Sequence, residues 1–543
     1  MLTSSLHSKE AKLAPDIVIL NATIRTMDAK NPTASALAVL GNQIIAVGST
    51  DEIRALTGKD TRVIDANKKL VLPGFNDSHV HFLMGGFSLS QVDLRDAKTP
   101  EEMANRLAAY AKTIPKGQWI RGGDWDHEKW PGTPLPTKEM IDAATPENPV
   151  FVNRTDGHMC LANSLAMKLS GVSKATKEVP GGEIVRDKNG EPTGIFKDGA
   201  EDLIKVPDHS ESENLSAARA ATAHAAKVGV TSVTDMSAGD DVGLYQTMAA
   251  RGELKTRIYA IRSIVSGDVL QKAGVRAAFG GDMVRIGGLK GFADGSLGST
   301  TAKFFEPYSD ATNTSGLWYD QMLPEGTMEK RVLAADKHGL QVMIHAIGDQ
   351  ANSKILDIYR EAVAQNGERD RRFKIEHAQH IRKEDILRFA KQKVIASMQP
   401  YHAADDGRWC DKRIGPERSK GTYAFRSLLD AGAVLAFGTD WTVAPLEPMI
   451  SIKAAVTRQT LDGKHPDGWV PEQKISVEEA VHAYTVGSAY AEFAENRKGT
   501  LTPGKLADIV MLDRDIFSIN PVEIENVKVN LTILDGRVVH EQK

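Results

Sequence analysis

Two textures alternate along most of this chain. Short apolar runs, rich in β-branched residues, end abruptly in turns. Longer stretches follow in which apolar positions recur every three or four residues. The first pattern predicts strands and the second amphipathic helices. The strand-like runs begin at Phe75–Phe82 and continue through GVTSVTDM, TRIYAIRS, VRIGGLKGF, LQVMIHAIG, FKIEHAQ, VIASMQP and VLAFGTDW, eight in all. Stretches such as LSAARAATAHAAKVG and KEDILRFAKQ carry the helical period between them. Eight strand-helix units predict an α/β fold built on a (β/α)8 TIM-like barrel.

The two ends of the chain read differently. IVILNATIRTM and ALAVLGNQIIAVG near the start, and ADIVMLD, NLTILDG and RVVHE near the finish, are short strands broken by turn residues. These ends predict one small β-sandwich assembled from residues 1–72 and 500–543, with the barrel occupying 73–499. The stretch between the first two barrel strands, about 83–228, is too long for a plain βα connection. It predicts an insertion with structure of its own, in which PGGEIVRDKNGEPTGIF reads as a β-hairpin.

Composition narrows the functional classes. At 543 residues, more than one domain is expected. A net charge of −4, from 67 basic and 71 acidic residues, gives no electrostatic footprint for nucleic acid or an anionic membrane. No run approaches the ~20 apolar residues of a membrane helix. The opening MLTSSLHSKEAKLAPD lacks the apolar centre of a secretory leader. A cytoplasmic protein is the expectation. The two cysteines, Cys160 and Cys410, imply no disulfide framework, and Cys160 reads as a packing residue.

Candidate chemistry gathers at the ends of the barrel runs. His79 and His81 in LPGFNDSHVHF, Lys290 in VRIGGLKGFADG, His345 in QVMIHAIGD, His377 in FKIEHAQH and Asp440 in VLAFGTDW are residue types that meet at metal sites. Alternation along a strand lets His79 and His81 face one ion while Val80 turns into the packing. The C-terminal face of a barrel is where side chains from several strand ends converge. His224, His338 and His482 lie in helical runs and read as packing or surface residues. His158 in RTDGHMC and His402 in QPYHAADD follow strand-like runs into turns and are candidates for substrate contact. Trp125 and Asp126 in GGDWDHEKW read either as a pocket wall or as a Trp-anchored turn. ADGSLGSTTA, directly after Lys290, offers backbone amides and hydroxyls close to the candidate site.

The order of these motifs, from DIVILNATIRTMD through LPGFNDSHVHF, GGDWDHEKW, VNRTDGHMCLANS and GFADGSLGSTTA to GTLTPGKLADIVMLDRD, resembles the amidohydrolase superfamily. Within it the chain is most similar to the YtcJ-like metal-dependent amidohydrolases, the group that includes N-substituted formamide deformylase. The resemblance covers nearly the whole chain and implies the same barrel and sandwich. It implies two divalent ions, zinc or a similar metal, one held by His79, His81 and Asp440 and the other by His345 and His377. It further implies that Lys290 is carboxylated, so that an anionic carbamate bridges the ions where an ammonium would repel them. Hydrolysis of a non-peptide C–N bond of a small molecule by a metal-activated hydroxide follows, with Asp440 both ligand and proton shuttle. A homodimer is compatible with the resemblance. Two alternatives stand beside this expectation. A mononuclear deaminase of the same superfamily usually has a glutamate just after the strand-five histidine, whereas His345 is followed by Ala346, Ile347, Gly348 and Asp349. A non-catalytic barrel scaffold would have no use for so full a ligand set.

Overall fold

A computed structural model of the chain describes residues 14–542, save 238 and 240. The leader reading of the first 13 residues lies outside the described residues. Eight parallel strands form the central sheet: β1 (Phe75–Val80), β2 (Val230–Asp235), β3 (Arg257–Ser263), β4 (Val284–Phe292), β5 (Gln341–Ala346), β6 (Lys374–His377), β7 (Ile395–Met398) and β8 (Leu435–Phe437). Each pairs with its neighbour in sequence order. Just past β8, Trp441 bridges Val80 in parallel, and the Asp440 amide donates to the His79 carbonyl at 2.7 Å. That seam closes the sheet into the expected barrel.

Buried carboxylate chemistry holds the seam. Asp77, fully enclosed on β1, accepts from the Thr439 amide (3.0 Å) and hydroxyl (2.7 Å) and from the His79 amide (3.1 Å). Gly438 has to be glycine here, because a Cβ would lie 2.6 Å from the His79 nitrogen and 2.7 Å from Asp77 Oδ1. Helices coat the outside. The helix Glu211–Lys227 opens with a capping box between Ser210 and Glu213 and buries a small-residue face of Ala217, Ala218, Ala221 and Ala225. That face lets Phe82–Ser88 pack so closely that a Cβ on Gly86 would sit 2.1 Å from the Ala217 carbonyl oxygen.

The termini meet as the strand textures predict. Leu70–Pro73 pairs antiparallel with Ile509–Leu512, in a six-stranded sheet that also takes Val529–Leu534 and Arg537–Glu541. A four-stranded sheet formed by Ile17–Leu20, Ala36–Leu40, Gln43–Gly48 and Arg62–Asp65 completes the sandwich. Its core includes Ile19, Leu37, Val39, Val71, Ile509 and Ile533. Arg257 on β3 ties the sandwich to the barrel with two bonds to Asp508, at 2.7 and 2.8 Å.

The insertion holds a third sheet of six strands between residues 92 and 198, with its own apolar core. Gly182–Arg186 and Pro192–Asp198 form the expected hairpin. The sheet is a cap, anchored to the barrel by Arg95, which donates to the Thr442 and Val443 carbonyls, and by Asp126, which receives Arg408 at 3.0 Å. Among the described residues, no helix is long and apolar enough to cross a membrane.

Candidate metal centre

All six metal-type residues meet at the C-terminal end of the barrel strands. His79, His377 and Asp440 present nitrogen and oxygen atoms within 4.8 Å of one another. His81 Nε2 lies 3.3 Å from Asp440 Oδ1, and Lys290 Nζ lies 3.4 Å from His79 Nε2. The His345 ring is 4.6 Å from that of His377. His377 thus groups with His79 and Asp440 rather than with His345 alone. The backbone explains it: His377 (φ 72°) and Asp440 (φ 58°) both sit in the left-handed region, which turns these strand-end side chains inward. Such conformations cost about 1–3 kcal/mol each and recur where function demands them.

Three of the four imidazoles donate one ring nitrogen to a buried oxygen. His79 Nδ1 donates to Glu376 at 2.6 Å, His377 Nδ1 to Gln399 Oε1 at 2.8 Å, and His345 Nε2 to the Gly295 carbonyl at 3.1 Å. Fixing the proton on one nitrogen leaves a lone pair on the other, which is how ligand histidines are oriented. Burial, aided by the Lys290 charge, pulls His79 down to about 4 against the opposing pull of Asp440 and Glu376. Burial likewise drives His345 and His377 well below the usual imidazole range. All three are neutral near pH 7. Burial pushes the Asp440 carboxyl upward, but His79, His81 and His377 together hold it well below the ordinary carboxylate range. Lys290, enclosed on β4, is drawn down to about 8 by burial. Asp440 Oδ1 and His81 Nδ1 are buried without a hydrogen-bond partner. Unpaired acceptors and neutral imidazoles around one point fit a divalent cation.

Glu376 and Gln399 were not foreseen. Glu376 precedes His377 on β6, and simple alternation would point it away from the site. Yet it reaches back to His79, is held by Lys374 at 3.0 Å, and is kept charged near a pKa of about 2 despite burial, by Lys374 first and then His79. The available signal was the KIE triplet, which puts Lys374 and Glu376 on one face of a buried strand.

A cavity of about 470 Å³ opens over the cluster, lined by His81, Lys290, His345, His377 and Asp440 from the barrel and by His158, Asp156 and Arg121 from the cap. A smaller recess of about 50 Å³ continues behind it, between Asp126, Arg154, Ser296, Gly298 and His402. His158 reaches the site as expected, its ring 4.9 Å from that of His345. Its Nδ1 donates to Asp198 at 2.6 Å; burial pulls its pKa down, but that bond and the charges of Asp198, Asp156 and Asp294 together raise it. His402 lies beside the recess, stacked 6.4 Å from His377. The segment after Lys290 lines the recess through Ser296 and Gly298, and Ser296 bonds to Asp156 of the cap.

Trp125 is elsewhere. It is fully enclosed in the cap core, its indole donating to the Val152 carbonyl at 2.9 Å and its ring stacked on Trp130. Trp125 and Asp126 are successive residues at a strand end, so they face opposite ways. Asp126 lines the recess, paired with Arg154 (3.2 Å) and Arg408 (3.0 Å), and Trp125 is a packing residue.

A closed barrel with ligand-type residues at its mouth and a terminal sandwich defines a metal-dependent hydrolase architecture. Residues 62–540 match the model described as amidohydrolase family, and the chain belongs to that family. It is 39% identical to the protein LONG AFTER FAR-RED 3 of Arabidopsis thaliana, over 92% of this chain and 88% of that one. Identity to N-substituted formamide deformylase of Arthrobacter pascens is 27%, over 97% and 98%. A crystal structure of a metal-dependent hydrolase from Pyrococcus furiosus superimposes with TM-score 0.72 and 31% identity, covering 92% of this chain and all of that one. The chain is a metal-dependent hydrolase of the amidohydrolase superfamily.

Proposed function

We propose that the protein hydrolyses an amide-type, non-peptide C–N bond of a small molecule with two divalent ions, zinc or a similar metal, held by His79, His81, Lys290, His345, His377 and Asp440. The observation that carries this is the convergence of neutral imidazoles, one charged carboxylate and one buried lysine at the base of a cavity. The drop of the Lys290 amine to about 8 enlarges its neutral fraction, the form that takes up carbon dioxide with loss of a proton to give an anionic carbamate ligand. When bound, such a pair supplies a water of pKa near ~7 and polarises a carbonyl oxygen. Asp440, charged and lining the cavity, receives the water proton and passes it to the departing nitrogen. In its protonated form, which the bond to Asp198 favours, His158 offers its Nε2–H to the carbonyl oxygen as charge develops there. Similarity to a formamide deformylase supports a small acyl group. The two free, buried cysteines and the net charge of −4 support a cytoplasmic enzyme acting on a free small molecule rather than on nucleic acid or membrane.

A panel of N-formyl and N-acetyl amines, cyclic imides and amino-acid amides, assayed with added zinc, tests the reading. Hydrolysis of at least one amide class, lost on chelation, is expected. Metal-replete protein inert to all of them but active on a cyclic imine would identify a deaminase instead.

A further inference from the structure

The carboxylates that line the main cavity nearly all have a cation of their own. Asp124 pairs with Arg95 at 2.9 Å, Asp156 with Arg154 at 2.6 Å and Asp198 with His158 at 2.6 Å. Asp440 is ringed by histidines, and burial pushes the Glu201 carboxyl well above the ordinary range. The cations do not balance in the same way. Among the described residues, Arg121 has no carboxylate within 4 Å, although it lines the same cavity. Its one hydrogen bond is to Nε2 of His209, at 2.9 Å. Glu213 and Asp208 lie beyond ion-pair distance, and Glu213 is occupied by the Ser210 cap.

The Arg121 head group is also held in place. His209 stacks face to face on Phe87, with centroids 3.8 Å apart and planes within 16°, which fixes the imidazole that receives Arg121. The backbone beside it is equally set: Gly122 and Gly123 take φ of +82° and +101°, and a Cβ on Gly122 would lie 2.5 Å from Gln91 Oε1. The cavity that Arg121 lines also has apolar members, Met84, Phe87, Phe151 and Val206. A guanidinium has five donors and cannot shed its charge, so one bond to a neutral imidazole leaves most of its capacity unused. A cation with open donors, lining a cavity that also has apolar members, selects a planar oxyanion carried on an apolar body.

We propose that Arg121 is a carboxylate subsite, and that the molecule cleaved at the metal centre is a small amide that also carries a carboxylate on an apolar frame. The word "cleaved" rests on the hydrolase reading above, whereas binding of the anion does not. A cavity of about 470 Å³ lined by both Arg121 and the metal-type cluster accommodates one such molecule across both.

N-formylphenylalanine and N-formylphenethylamine differ only in the carboxylate and serve as the matched pair. With zinc-loaded wild-type protein, kcat/KM should favour the acid. Arg121→Met should lower the acid-to-amine ratio about 10- to 100-fold, mainly through KM, and Arg121→Lys should recover part of it. A ratio unchanged in Arg121→Met overturns the proposal. Calorimetric binding of 3-phenylpropanoate against 3-phenylpropanol reads the subsite without turnover. The acid should bind wild type more tightly, and that advantage should vanish in Arg121→Met. An advantage that persists in the variant overturns the proposal, as does its absence in wild type. Binding that behaves as expected while neither formamide is hydrolysed leaves the subsite standing and counts against the hydrolase reading. Equal thermal unfolding of variant and wild type excludes a folding defect.

Discussion

Glu376 offers nothing to the cavity, yet it decides which nitrogen of His79 is free. Removing its charge loosens that choice. Glu376→Gln should weaken metal affinity by about 10- to 100-fold in chelator competition, with the fold intact. Unchanged affinity would mean that His79 needs no orienting partner. Lys290→Ala should lose metal and activity together, and short-chain carboxylates in the buffer should restore part of both. Full activity in the untreated variant would exclude the carbamate. A third residue makes a pH prediction. His127 in the cap is buried against Arg154, and burial first, then that guanidinium, holds it down to about 3. An unfolded histidine titrates near ~6.5, so on acidification the unfolded chain binds the proton first. The stability contribution is whole above pH ~6.5 and drains as pH falls towards 3, by about 2 kcal/mol at about pH 5. Chemical unfolding of His127→Gln should lack this part of the acid slope, and an identical slope in both proteins would show that His127 titrates normally. At this scale the ligand types were legible because histidine, lysine and aspartate interrupt apolar runs. Their orienting partners were not, because an ordinary Glu or Gln acquires that role only from a neighbouring strand.

The apolar runs placed all eight barrel strands, since buried parallel strands are near-continuous in apolar and β-branched residues. The seam between β8 and β1 was not legible. It depends on Asp77 and Thr439, whose pairing spans 362 positions, and on a glycine with no room for a side chain. Gly438→Ala should therefore force the strands apart at His79. Metal content should fall at least 10-fold while the helical circular dichroism persists. Retained metal would mean that the seam tolerates the methyl group. Trp125 and Asp126 show the limit of motif reading in the cap. Both residues are conspicuous in sequence, but alternation sends one into the cap core and the other to the barrel.

The two ends of the chain share one sheet, and strand texture foretold that meeting, although not which strands would pair. The sheet needs Ile509–Leu512 to cover the edge of Leu70–Pro73, and Arg257 needs Asp508 to neutralise its buried charge. A chain ended at residue 499 exposes both, and a buried charge without its partner costs about 3–5 kcal/mol. Such a protein should aggregate on expression. A soluble, cooperatively folding product would show that the barrel stands alone. The six-stranded sheet of the cap was the least legible part, because its strands are short and divided by glycine-rich turns. That cap, rather than the barrel, supplies Arg121, His158 and the cavity roof. In the reading proposed above, the barrel sets the reaction and the cap sets the substrate. Elemental analysis of the protein saturated with zinc in bicarbonate buffer tests the proposed two-metal centre at the barrel mouth. Two tightly held ions per chain are predicted. One ion or none would contradict the account.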